Sequence, residues 1–303
     1  MNKELFNKKV EEINLMLEES FPLYSRFDKK IIESMKYSVM AGGKRIRPLI
    51  MQETYRMFKG EGSNEDTLKT FMTAMEYIHS YSLVHDDLPC MDDAERRRGK
   101  LTTHIKFGEE FGVLAGDALL NTAYELISNK MARMRDIDEL RAAAKAFNVL
   151  AYNAGVHGMV GGQSLDVQSE KDDLEVGRNE LDYIYDGKTA ALIDASFVIG
   201  GILAGVKDND IKILEAIGKG VGIAFQIQDD ILDATGDEKT LGKDVGNDEK
   251  LDKKTYLSFV GLEQAKKDVV SYTEGALSAF DSLECEKNEF LRDLIVYLID
   301  REK

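Results

Sequence analysis

The sequence predicts an all-α fold, and three observations carry that prediction. Only 3 prolines interrupt 303 residues, so long stretches lack the residue that most sharply breaks helices. Apolar residues recur at three- and four-residue spacing along most of the chain, the period of an amphipathic helix. No segment sustains the strict alternation expected of a half-buried strand.

Taken in order, residues 4–19 carry Leu5, Val10, Ile13, Leu15 and Leu17 and predict the first helix. Residues 29–41 predict a second, ended by Gly42-Gly43, and Pro48 opens a third at a position where proline is tolerated. Residues 66–88 form a long apolar-periodic helix that ends near Pro89. Further helices are expected at 109–132, 137–160, 178–205, 209–234, 255–281 and 287–301. No Pro/Ser-rich linker, low-complexity tract or fixed-period repeat divides the sequence, which predicts one domain over 1–303.

Composition narrows the function classes. Apolar residues make up 43%, enough for a sizeable core rather than disorder. The 55 acidic against 40 basic residues give a net charge of −15, which argues against nucleic acid and anionic lipid surfaces as partners. Cys90 and Cys285 are too few for a disulfide framework and suit a reducing compartment. Residues 1–20 mix charges with an amphipathic pattern and lack an apolar signal core. The longest apolar run, Ala195 to Val206, is too short and Gly-rich to span a bilayer. The expectation is a cytoplasmic, soluble protein with no stable membrane association.

Two acidic clusters stand out, each following an apolar helical run. The first is His85-Asp86-Asp87-Leu88-Pro89-Cys90-Met91-Asp92-Asp93, and the second is Phe225-Gln226-Ile227-Gln228-Asp229-Asp230-Ile231-Leu232-Asp233. Carboxylates crowded into a partly dry site need cations. Asp229 and Asp233 are one turn apart on one helical face. Asp86 and Asp92 would stand about 120° apart on a continuous helix, so a break at Pro89 is needed to bring Asp92 round. All-oxygen ligands favour Mg²⁺ over Zn²⁺. Calcium storage is excluded because neither cluster has the EF-hand spacing or its central glycine.

A basic set accompanies the acids. Gly42-Gly43-Lys44-Arg45-Ile46-Arg47-Pro48 places cations beside a helix N-terminus, where free N–H groups and the dipole attract anions. Lys44 and Arg47, three apart, suit one diphosphate, and a solvated basic turn is the alternative. Arg96-Arg97-Arg98-Gly99 follows Asp92; guanidinium forks match phosphate oxygens, and plain ion pairing with the neighbouring acids is the alternative. His79 lies two turns before Asp86 on roughly the same face. Lys188-Thr189, Lys243 and Lys253 add scattered cations.

Together these segments resemble the trans-isoprenyl diphosphate synthase family, in its bacterial farnesyl/geranylgeranyl branch. The resemblance runs through residues 42–48, 77–89, Leu114-Ala115-Gly116-Asp117-Ala118-Leu119-Leu120, Gly161-Gly162-Gln163, Lys188-Thr189-Ala190, 225–233 and Leu241-Gly242-Lys243-Asp244. It implies an isoprenoid-synthase-type helical bundle around a deep central cavity, both Asp motifs at its mouth, and a homodimer. It implies that Asp86, Asp92 and Asp229 ligate about two to three Mg²⁺ ions per active site, with Asp233 and Asp230 supporting. Lys44, Arg47, His79 and Arg98 match the isopentenyl diphosphate pocket. Arg97, Lys188, Thr189, Gln226, Lys243 and Lys253 match positions that hold the allylic diphosphate or face its cation. Ala94 and Glu95 stand where Asp is common, and Leu101 and Leu257 replace common prolines.

The implied reaction is a prenyl transfer in which isopentenyl diphosphate condenses with dimethylallyl or geranyl diphosphate to give farnesyl diphosphate and diphosphate. Tyr81, about 7–8 Å of helix below Asp86, with Ser82 beside it, is the expected floor that stops the chain at C15. Simple core packing of Tyr81 is the alternative, and a C20 product goes with it. A terpene cyclase would not need the Gly-Gly-Lys-Arg-Ile-Arg segment, and a non-catalytic partner subunit should have eroded acidic motifs.

Overall fold

The structure, a computed structural model, describes residues 1–23, 26–171, 176–235 and 255–299. Among these residues the helices are α1 (Lys3–Glu19), α2 (Lys29–Val39), α3 (Ile46–Lys59), α4 (Asp66–Asp86), α5 (Thr103–Phe107), α6 (Glu109–Met131), α7 (Ile137–Ala154), α8 (Met159–Lys171), α9 (Arg178–Ile184), α10 (Ala191–Ala204), α11 (Asp208–Thr235), α12 (Tyr256–Val260), α13 (Leu262–Ser282) and α14 (Glu289–Ile299). A π-helical turn, Tyr185–Ala190, joins α9 to α10. Strands β1 (Arg96–Arg97) and β2 (Lys100–Leu101) form a small antiparallel hairpin. The all-α expectation holds, and α1, α2, α4, α6 and α11 fall where the periodicity put them.

Two expected helices are split, a hairpin appears where none was expected, and α3 begins at Ile46, two residues before Pro48. The expected helix 137–160 stops at Ala154, and a separate α8 begins at Met159. Gly155 and Gly158 occupy the break, consistent with the low helix propensity of glycine. The expected helix 255–281 is split into α12 and α13 by Gly261, whose φ of 75° leaves the helical region. The hairpin went unpredicted because two-residue strands are too short to show alternation. Its turn is Arg98-Gly99, with φ of 53° and 76°, the positive pair of a type I′ turn.

The chain divides into two compact units. One comprises Asn2–Gln52 and Gly60–Phe147, the other Met1, Glu53–Lys59 and Asn148–Lys303. In the first, α4 packs against α6, and α2 against both. α4 is buried on nearly every side, through Leu68, Phe71, Met72, Met75, Tyr77, Ile78 and Tyr81, so its C-terminal acids emerge directly from a packed core. In the second, α11 is the central element and packs against α10, α13 and the π turn.

The continuous run Arg178–Ala204 is long and apolar enough to cross a membrane by length and composition. It is longer than the apolar run seen in the sequence because α9, the π turn and α10 join. Some 78% of its apolar window is buried inside the structure, as in a core helix surrounded by others.

Candidate active site

In the first unit, the acidic motif is shaped by the end of α4. The helix stops at Asp86, and the Asp92 N–H donates to the Asp86 carbonyl at 2.9 Å. The Met91 and Asp93 N–H groups return to Leu88. The chain therefore doubles back around Pro89, and the expected break brings the Asp92 backbone to Asp86. Asp86 is half-buried and Asp92 exposed. Asp87, between them, turns inward: it is 4% exposed and accepts from Arg97 Nε at 2.7 Å. Burial raises its carboxyl above the ordinary value despite the opposing Arg97 charge. Arg97, expected to meet substrate, thus has Asp87 as its partner here.

The basic segment 42–48, which runs from a loop into the first turn of α3, separates into inward and outward cations. Arg45, φ 51°, is 3% exposed and donates to Glu76, Asn14 and the Val39 carbonyl at 2.6, 2.8 and 2.7 Å. It anchors the loop and cannot reach a ligand. Lys44 is exposed. Arg47 Nη1 lies 3.4 Å from His79 Nε2, while its buried Nε has no hydrogen-bond partner among the described residues. A buried guanidinium N–H without a partner costs free energy, so a bound anion would relieve it. Burial pushes Arg47 down to about 10, with Glu76 opposing and Arg98 adding. Arg98 donates to the Gly42 carbonyl. A Cβ on Gly43, φ 133°, would strike that guanidinium, so glycine is required there on both counts. Burial, and then Arg47, Arg98, Arg97 and Arg45, hold the His79 imidazole well below its ordinary 6.5, leaving it neutral at pH 7. The structure thus gathers Arg47, His79 and Arg98 around one loop.

Tyr81 is 6% exposed and meets the His85 ring edge-on at 5.9 Å. Burial, then Tyr124 and Asp86, push its hydroxyl up to about 12, so it stays neutral. Ser82 donates to the His79 carbonyl at 3.0 Å.

In the second unit, Lys188 and Thr189 sit on the π turn. Lys188 Nζ pairs with Asp166 of α8 at 2.6 Å, and Asp166 is 2% exposed. Thr189 Oγ1 donates to Gln226 Oε1 at 2.7 Å. Asp229 and Asp233 are both half-buried on α11. A cavity of about 90 Å³ is lined by Asp166, Tyr185, Lys188, Thr189, Gln226 and Asp230 among others. Lys243 and Lys253 lie outside the described residues.

Among the described residues, no three His, Cys, Asp or Glu side chains form a cluster able to hold a metal alone. Pairs of carboxylates still suit Mg²⁺, which commonly takes one or two and completes its shell with water and phosphate oxygens.

The sequence matches the family described as polyprenyl synthetase over residues 28–287. The chain belongs to this family. It is 42% identical to the farnesyl diphosphate synthase of Micrococcus luteus, over 96% of each chain. It is 43% identical to the chloroplastic heterodimeric geranylgeranyl pyrophosphate synthase large subunit 1 of Arabidopsis thaliana, over 85% of this chain and 68% of the relative. Among solved structures, the geranyltransferase of Helicobacter pylori complexed with magnesium and isoprenyl diphosphate superposes with a TM-score of 0.82. It is 30% identical, over 98% of this chain and 96% of that one.

This polyprenyl synthetase is therefore an all-helical prenyltransferase. Sequence reasoning missed the partners that orient its cations. Asp166 carries a faint signal, an acid in the apolar turn after Gly161-Gly162-Gln163. Glu76 carries one too, as the lone acid inside the apolar α4. Tyr185 carries none, because an aromatic at helical spacing reads as core.

Proposed function

We propose that this prenyltransferase makes farnesyl diphosphate from isopentenyl diphosphate and dimethylallyl or geranyl diphosphate. The observation that carries the proposal is the pairing of two intact Asp motifs with a loop that gathers Arg47, His79 and Arg98. The likeness to a farnesyl diphosphate synthase along almost the whole chain supports the C15 product.

In this reading Lys44, Arg47, His79 and Arg98 bind isopentenyl diphosphate. Neutral His79 donates or accepts one hydrogen bond without adding charge repulsion beside the guanidiniums. Arg97, Lys188, Lys243 and Lys253 bind the allylic diphosphate. Asp86, Asp92, Asp229 and Asp233 hold Mg²⁺, which when bound neutralises the charge growing on the diphosphate leaving group. As that C–O bond breaks, the Thr189 and Gln226 oxygens face the allylic cation. The isopentenyl double bond attacks it, and the released diphosphate takes the proton whose loss forms the new double bond. A reaction through a cation requires water to be excluded. The homodimer rests on the family resemblance, and the reduced-type cysteine content supports a cytoplasmic location.

Asp86→Ala and Asp229→Ala test the metal assignment. Each is expected to lower turnover at least about 10³-fold, from the size of transition-state charge stabilisation, while helical content is retained. Near-normal turnover in Asp86→Ala would contradict it.

A further inference from the structure

Gln226 could face either way, since its amide carries an oxygen on one side and an NH₂ on the other. Its neighbours decide. Asp230, one turn later on α11 and 6% exposed, places Oδ1 3.3 Å from Gln226 Nε2. The Gln226 NH₂ donates to that oxygen, which leaves Oε1 facing Thr189. The Thr189 hydroxyl then donates to Oε1 at 2.7 Å. The hydroxyl proton is thereby committed, and lone pairs on both oxygens remain for an electron-poor ligand in the cavity they line.

Asp230 is itself clamped. Its Oδ2 accepts from the Tyr185 hydroxyl and from the Tyr256 backbone N–H, the latter at 2.8 Å. The same N–H lies 3.0 Å from the Tyr185 oxygen. Tyr256 is in turn fixed by its own hydroxyl on Asp268 at 2.9 Å and by the Arg178 guanidinium 4.4 Å above its ring. Tyr185 begins the π turn that carries Lys188 and Thr189. One connected set of bonds therefore runs from Tyr256 and Tyr185 through Asp230 to Gln226 and Thr189.

We propose that Asp230 and Tyr185 are positioning residues that set the orientation of the Gln226 amide and so present the Thr189 and Gln226 oxygens to the allylic cation. This rests on the assignment of those two oxygens made above. Asp230, the middle acid of its motif, thus acts through Gln226 rather than as a metal ligand.

Steady-state kinetics with geranyl and isopentenyl diphosphates in saturating Mg²⁺ test this with Tyr185→Phe, Asp230→Asn, Thr189→Val and Gln226→Leu, and with the first two combined with Gln226→Leu. Tyr185→Phe and Asp230→Asn are each expected to lower kcat about tenfold. KM for both substrates and the half-saturating Mg²⁺ concentration should stay within about twofold. In the Gln226→Leu background either should cost less than about a further twofold, because residues acting as one unit are non-additive. An unchanged kcat, or a second full tenfold loss in the Gln226→Leu background, would overturn the proposal. A raised Mg²⁺ requirement in Asp230→Asn would overturn it in favour of a ligand role. Normal kcat in both Thr189→Val and Gln226→Leu would overturn the assignment of the oxygens, and the positioning role with it. If Tyr185→Phe fails to fold, Asp230→Asn decides by the same criteria.

Discussion

Among single residues, His79 and Tyr81 make the sharpest demands. His79 is held neutral by burial and four nearby guanidiniums. Its folded value lies below the unfolded 6.5, so the unfolded chain takes up the proton first. Its contribution to stability is constant above that pH and becomes unfavourable as pH falls below 6.5 toward the folded value. His79→Gln keeps a hydrogen-bonding group without the titration. The drop in thermal midpoint between pH 7 and pH 5 should therefore be smaller in the variant, by roughly a few degrees for a change of about 1 kcal/mol. An equal or larger drop would place the acid sensitivity elsewhere. Tyr81 tests the floor. Tyr81→Ala should lengthen the main product from C15 to C20 or beyond, read by chromatography of the dephosphorylated alcohols. An unchanged distribution would mean that the ring only packs the core.

The elements that matter are the π turn and α11. Positions 218, 222, 226 and 230 of α11 share one face at four-residue spacing, and read Gly, Gly, Gln, Asp. Gly222 lets Ala190 of the π turn come so close that a Cβ there would collide with it. Gly222→Ala should gain up to about 1 kcal/mol in helix propensity, yet lose about 1–3 kcal/mol to overpacking. The expected net result is a lower thermal midpoint and a lower kcat, with Thr189 displaced from Gln226. A stabilised, fully active variant would show that the contact is not tight. Such close approach also explains what the sequence concealed. Helical periodicity shows that α11 exists and that its acids lie one turn apart. It does not show that the π turn meets its glycine face, because that depends on atoms far apart in sequence. The short hairpin and the separate α8 were hidden for a different reason, since their boundaries rest on single glycines and a two-residue turn.

For the molecule as a whole, chemistry was more legible than wiring. The Asp motifs and the basic segment at 42–48 carried the family resemblance on residue type and order alone, and the family match over residues 28–287 agrees with it. The direction in which each charge points was not legible. Arg45 stands between Lys44 and Arg47 in the same basic segment, yet it turns inward to Glu76. Asp87 sits between two proposed ligands, yet it takes Arg97. In both cases burial selects which cation or acid becomes structural, and burial is a property of packing rather than of local sequence.

Condensation by the purified protein, with isopentenyl diphosphate and dimethylallyl or geranyl diphosphate, in Mg²⁺ or in EDTA, tests the prenyl transfer directly. The predicted result is a farnesyl-length C15 alcohol after dephosphorylation, formed only with Mg²⁺. Condensation in EDTA would contradict the metal assignment, and no condensation from either starter would contradict the prenyl transfer itself.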